Sequence, residues 1–312
     1  MAVIGIDLGG TKVAGGLFSA TGDLVASQNS LLYGATGDAV GDLVIKTVTD
    51  LLEKPDGKDV DAIGICIPGI AYSKKGTAWV PNIPGWENYP LRGKVFDKTG
   101  IKVTVDSDRT CYILGEEWKG TARGCNNAIY LAVGTGIGAG ILLDGHIIHG
   151  ANDIVGATGW MALQPPYVDD YIPCGCFEHY ASGNGIGLQA RLELAKDKTY
   201  DGPMKDKPID KVSSYDVFEY YPKGDAIAVR VLDKAILMWG MAIANLVSLF
   251  NPEKIIFGGG VFGPAVAYID RIYAEACKWG QPISMREVKF VPSELEGNSA
   301  LFGAARLAMK EL

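Results

Sequence analysis

Short apolar runs separated by glycine turns open the chain, and the same pattern returns near its middle. Val3-Ile4-Gly5-Ile6 leads into Asp7-Leu8-Gly9-Gly10-Thr11-Lys12, Val13 to Phe18 follows, and Thr21-Gly22-Asp23 ends the run. Later, Ile129 to Val133 leads into Gly134-Thr135-Gly136-Ile137-Gly138, and Ala139 to Leu143 runs to Asp144-Gly145. Apolar runs bounded by turn residues predict strands, so Val3 to Ala26 reads as a meander and the later run as another. Between them the spacing predicts an amphipathic helix over 38–52, a buried strand over 62–67, and a strand at 103–105 before a helix through Glu117. The second half is loop-rich from Ala151 to Cys176. Helices are then expected around 183–195, over 214–220 and from about Gly224 to Phe250. A strand at 254–257 ends in Gly258-Gly259-Gly260, and a helix, a strand at 287–291 and a final helix from Ala300 complete the pattern. A meander followed by alternating helices and strands, present twice, implies two related α/β lobes with a cleft between them.

A chain of 312 residues is long for one core and usual for two domains. The expected division is 1–118, completed by the C-terminal helix 300–312, and 119–299. The net charge of −7 argues against nucleic acid as a partner but not against ATP, whose charge magnesium and backbone amides can meet. Met1 enters a strand directly, so no secretory leader is expected. The longest apolar stretch, Ala235 to Phe250, is broken by Asn245 and Ser248 and is short for a membrane span. A cytoplasmic location without a membrane partner is the resulting expectation. The six cysteines are too sparse for a disulfide scaffold, and Cys66, Cys111, Cys125 and Cys277 are expected as buried thiols.

Glycine turns let backbone N–H groups approach an anion, and two of them facing each other could grip a polyphosphate. Tight hairpins alone would also use such glycines. Gly258, Gly259 and Gly260 lie between a strand and a helix, where they suit either an adenosine or close helix–strand packing. Asp106 and Asp108 sit at the start of a helix, as a cap or as a base for chemistry.

These motifs, with Pro68-Gly69, Pro81-Asn82-Ile83-Pro84-Gly85-Trp86 and Asn251-Pro252-Glu253, together resemble the ROK family of bacterial sugar kinases and related repressors. The similarity runs in order over nearly the whole chain. It implies an α/β fold of two actin-like lobes, hexokinase-like and ribonuclease H-like, with a central cleft. Family repressors carry a helix-turn-helix before the first glycine turn, for which this sequence leaves no room. The resemblance places an Asn-Asp pair after the strand at 103–105, its second residue catalytic, which makes Asp108 the proton acceptor and Asp106 a cap or supporting group. It implies ATP and Mg2+ as cofactors. Asp7 would orient magnesium through water. Gly9, Gly10, Thr11 and Lys12 would approach the terminal phosphates, Gly134, Thr135 and Gly136 would donate amides from the other lobe, and Gly258, Gly259 and Gly260 would pack on adenosine.

The acceptor side departs from the family. Its Glu-x-Gly-His motif is here Gly156-Ala157-Thr158-Gly159-Trp160, so the sugar-binding glutamate is Ala157 and the histidine, which also ligates zinc, is Trp160. Of the family's cysteine loop only Cys174-Gly175-Cys176 is kept, so zinc is not expected. His179 is expected at the surface. Trp160, Tyr167, Tyr171 and Phe177 are expected to hold the metal-free loop by packing, with Trp160 either filling a core or stacking on a sugar. Gly69, Asn82, Ser107, Asp108 and Glu178 complete the expected acceptor ring. Ser107 stands where the family has asparagine, which together with the altered motif points to a modified or amino hexose, a deoxy or ketose sugar, or a cyclitol, with one face apolar enough to lie on Trp160, rather than plain glucose. The leading function is therefore an ATP-dependent sugar or polyol kinase. A ligand-binding sensor without efficient catalysis and an actin-like assembling ATPase are the alternatives. Family homodimers imply a homodimer here, with Ala235 to Phe250 at the subunit interface or buried between the two lobes.

Overall fold

The computed structural model describes residues 2–295 and 297–312. The chain forms two compact units, the first of Met1–Gly124, Ile147–Val155 and Ser293–Leu312, the second of Cys125–His146 and Gly156–Pro292. The segment 147–155, expected with the second half, belongs to the first.

In the first unit the meander is β1 (Ala2–Leu8), β2 (Lys12–Phe18) and β3 (Leu24–Leu31), followed by α1 (Asp38–Leu52) and β4 (Val60–Ile67). The short pair β5 (Ile70–Tyr72) and β6 (Thr77–Trp79), then α2 (Leu91–Thr99), β7 (Lys102–Ser107) and α3 (Asp108–Lys119) complete it. The sheet order is β3-β2-β1-β4-β7, antiparallel within the meander and parallel from β1 through β4 to β7. Both faces of β1 and β4 are apolar because both are covered, the signature of a sheet buried on two sides. On one side lie Val40, Val44, Val48 and Leu51 of α1, with Leu91 and Val95 of α2. Trp86 closes that core, stacked on Tyr89 at 4.2 Å, while its indole N–H donates to the Gly37 carbonyl at 2.9 Å.

The other side is covered by a helix at 299–309 that packs on α3, β1 and β4. Glycine makes this approach possible, since a Cβ built at Gly64 would stand 1.9 Å from the Ala304 carbonyl oxygen.

The second unit repeats the plan with β8 (Ala128–Val133), β9 (Ile137–Leu143) and β10 (His146–Ile147). Helices α4 (Cys176–Ala181), α5 (Gly183–Lys196), α6 (Ser214–Tyr220) and α7 (Ala226–Phe250) precede β11 (Lys254–Gly258), α8 (Ile269–Trp279), α9 (Pro282–Glu287) and β12 (Lys289–Pro292). The sheet order β10-β9-β8-β11-β12 matches the first, and the final helix of the chain is α10 (Ser299–Met309). α7 starts at Asp225, whose carboxylate accepts from the Ala228 N–H, and ends at Asn251 in the left-handed conformation. It packs on α4, α5, α6, α8 and α9 of its own unit. Among the described residues no helix is long and apolar enough to cross a membrane.

Three expectations need correction. Glu287 ends α9 rather than starting the last strand, because Pro282 and the capping Gln281 nucleate a helical turn there. Cys277 is exposed on the outer face of α8, while Cys66, Cys111 and Cys125 are buried. His179 is buried rather than at the surface, its ring edge-on to Tyr171 at 5.3 Å and to Tyr180 at 4.9 Å.

Candidate active site

In the first unit, β1 ends at the glycine turn, which the Gly9 N–H closes by donating to the Lys12 carbonyl at 2.9 Å. Gly10, Thr11 and Lys12 are exposed at its tip. Asp7, partly buried behind the turn, contacts the Cys66 thiol, and loss of solvation pushes its carboxyl above the usual range. A carboxylate held with so weak a donor fits a cation reached through water.

Asp108 is the first residue of α3. The cap is neither Asp106 nor Asp108 but Ser107, whose hydroxyl accepts from the Thr110 N–H at 3.3 Å. Ser107 is buried, with its hydroxyl occupied by the helix end. Asp108 Oδ1 accepts from the Arg109 N–H at 2.8 Å. Burial pushes its carboxyl up to about 6 against the pull of the Arg109 guanidinium, with Asp7 adding to the rise. A carboxylate tuned so close to neutrality suits general-base work. Arg109 also donates to the Gly69 carbonyl at 3.3 Å. Asn82 is exposed in the loop after β6.

Asp106 braces this turn. One oxygen accepts from the Ser107 N–H at 2.6 Å, and the other meets His149 Nε2 at 2.8 Å. The segment 147–155 is further tied down by Asp153, which accepts from the backbone and hydroxyl of Ser73 at 3.0 Å. Asp106, helped by Asp153, holds the His149 imidazole protonated above its ordinary 6.5. A raised folded-state value means that the pair contributes fully at pH below about 6.5 and is lost as pH rises through the folded value. His149→Ala is therefore expected to lose under about 1 kcal/mol, since the ring is half-exposed. Denaturant unfolding should show that deficit near pH 6 and none near pH 9.

In the second unit the Gly134 N–H donates to the Gly136 carbonyl at 2.9 Å, leaving Thr135 exposed. The N-terminus of α5 is fastened to this loop, the Gly183 N–H donating to the Gly134 carbonyl at 2.8 Å. Glu178 accepts from the Ile137 N–H at 2.6 Å, and a Cβ on Gly136 would meet its Oε2 at 2.7 Å. Burial pushes the Glu178 carboxyl up. Beside the loop opens a cavity of about 390 Å³ lined by Gly134, Thr135, Arg191, Tyr215, Phe218 and Gly260 among others. Of the glycine triplet, Gly260 borders this cavity. Gly258 abuts the Tyr130 ring, and Gly259 lies against Val133 with φ of 86°. Arg191, Tyr215 and Phe218 escaped the sequence reading because nothing in their spacing marks them; α5 and α6 bring them together. Trp160 is 59% exposed, so it does not fill a core, whereas Phe177 and Tyr171 are buried. Ala157 lies just before the turn that carries Trp160.

A profile of the ROK family matches residues 3–311. This protein belongs to the ROK family. Its relatives include a glucokinase of Halalkalibacterium halodurans, 32% identical over 83% of this chain and 80% of that protein. The ROK hexokinase of Thermus thermophilus superposes with a TM-score of 0.83 at 27% identity, covering 100% of this chain and 99% of that one. A ROK glucokinase from Streptomyces griseus, crystallised with glucose and AMPPNP, gives 0.79 at 28% identity over 99% of this chain and 100% of that one. The matched residues take in both glycine loops and Asp108, and the α/β fold read from the duplication is that of these kinases.

Proposed function

We propose that this protein transfers the terminal phosphoryl group of ATP to a hydroxyl of a sugar or sugar-like acceptor, a hexose, modified hexose or cyclitol, with Asp108 as general base. The observation that carries the reading is the desolvated Asp108 carboxylate at the start of α3, in a unit whose first strand ends in an exposed glycine turn. The relatives' kinase activity supports it.

The acceptor oxygen attacks the terminal phosphorus, its proton passes to Asp108, and the bond to the ADP oxygen breaks. Gly9, Gly10, Thr11 and Lys12 serve the phosphates from the first unit. Gly134, Thr135, Gly136 and the N-terminus of α5 serve them from the second. Magnesium, held through water by Asp7, would neutralise phosphate charge. The nucleoside occupies the cavity beside Arg191, Tyr215 and Gly260. Glu178 holds the second glycine loop through the Ile137 N–H and offers its other oxygen to an acceptor hydroxyl. Gly69 and Asn82 line the acceptor from the first unit, and Ser107 supports it through the helix cap.

The test is ADP release from magnesium-ATP across hexoses, ketoses, hexosamines and cyclitols, with Asp108→Ala as control. Turnover of one acceptor class that vanishes in the control supports the reading. ADP release independent of any acceptor, or none while ATP and sugars bind, sinks it in favour of an ATPase or a sensor.

A further inference from the structure

The loop between β10 and α4 forms a groove of about 490 Å³. Trp160, Tyr167 and Ile172 line it while remaining 59%, 68% and 61% exposed. Exposed aromatic and branched side chains gathered in one concavity mark a binding site.

Two of its polar wall groups, Gln164 and Tyr171, are engaged inside the protein. Gln164 donates to the Tyr180 hydroxyl at 3.2 Å and accepts from Lys234, and the Tyr171 hydroxyl meets that of Tyr180 at 3.1 Å. An occupant therefore meets a mainly apolar surface formed by Trp160, Tyr167 and Ile172. The groove is of small-molecule size.

The backbone that carries Trp160 packs on Glu178, the proposed acceptor carboxylate, on the side of the oxygen that the Ile137 N–H occupies. Gly159, next to Trp160, is so close to Glu178 that a Cβ there would stand 2.9 Å from Oε2, and Gly175 packs on the Trp160 backbone.

We infer that the acceptor is a sugar bearing an aromatic or branched-alkyl substituent, which lies between Trp160, Tyr167 and Ile172 while its hydroxyls face Glu178. This rests on the sugar-kinase reading. The substituent adds binding through burial of its apolar surface, and it places the ring without a histidine at position 160.

The experiment compares kcat/KM for free hexoses and for their methyl, isobutyl and phenyl glycosides, in the native protein, Trp160→Ala and Trp160→Phe. The expected result is at least a tenfold preference for phenyl and isobutyl over methyl glycosides, lost in Trp160→Ala and largely kept in Trp160→Phe. Equal or better turnover of the free sugars, unchanged by Trp160→Ala, overturns the inference and leaves the kinase reading standing. If no sugar turns over, calorimetric titration of the phenyl glycosides decides. Binding that is weakened by Trp160→Ala supports the groove as a ligand site apart from catalysis, and no binding overturns it. Self-association that is lost in Trp160→Ala, with no glycoside preference, also overturns it.

Discussion

Asp108→Asn should lower kcat by a factor of about 10² to 10⁴, the usual contribution of a positioned general base, while making the nucleotide-free protein harder to unfold. The amide keeps the shape of the carboxylate but cannot accept the proton. Its effect on stability follows from burial, which lifts Asp108 from 3.8 to about 6. A raised folded-state value means that this group's favourable contribution is present below the unfolded value and is lost as pH climbs through about 6. Above that, the ionised carboxylate costs about 3 kcal/mol relative to an environment as wet as the unfolded chain. Asparagine removes that cost. Denaturant unfolding should show a gain near pH 7.5 that shrinks toward pH 4, and native kcat/KM should fall about tenfold per pH unit below about 6. Loss of activity with no gain at pH 7.5 would refute the desolvated base.

Gly64→Ala should destabilise the protein by about 3 kcal/mol, near the upper end for overpacking. The added methyl would stand 1.9 Å from the Ala304 carbonyl, and α10 has no easy retreat, because a Cβ at Gly303 would stand 1.8 Å from the Cys111 carbonyl. Either β4 or α10 must move, and β1, which carries Asp7, lies against both. Urea titration should show the loss. Gly10→Ala is the control, since nothing lies within 4 Å of a Cβ there. It should leave stability unchanged and weaken ATP binding.

The fold was legible where local pattern and tertiary packing agree. The helix over 38–52 has the predicted bounds because its apolar stripe, Val40, Val44, Val48 and Leu51, is the face that covers the sheet. The glycine turns were visible because each sits between two apolar strand runs. Burial that depends on distant partners was less legible. His179 looked exposed beside Glu178, yet Tyr171 and Tyr180 enclose it. Cys277 looked buried in a mixed context, but it lies on the outer face of an amphipathic helix. The cap of α3 was sought at a carboxylate, and the intervening Ser107 takes it. The pairing of His149 with Asp106 joins positions 43 residues apart, which no local period reveals.

The scattered composition of the first unit has a consequence for biosynthesis. Its sheet is translated early, but the helix that covers β1 and β4 comes after every residue of the second unit. At ordinary elongation rates, roughly 10 to 40 s separate Gly124 from the last residue. Through that interval the apolar back of the nascent N-terminal sheet lacks α10 and has only α3 beside it, which leaves exposed the kind of apolar surface that chaperones bind. Of the two units, the one begun earlier is thus the one completed later.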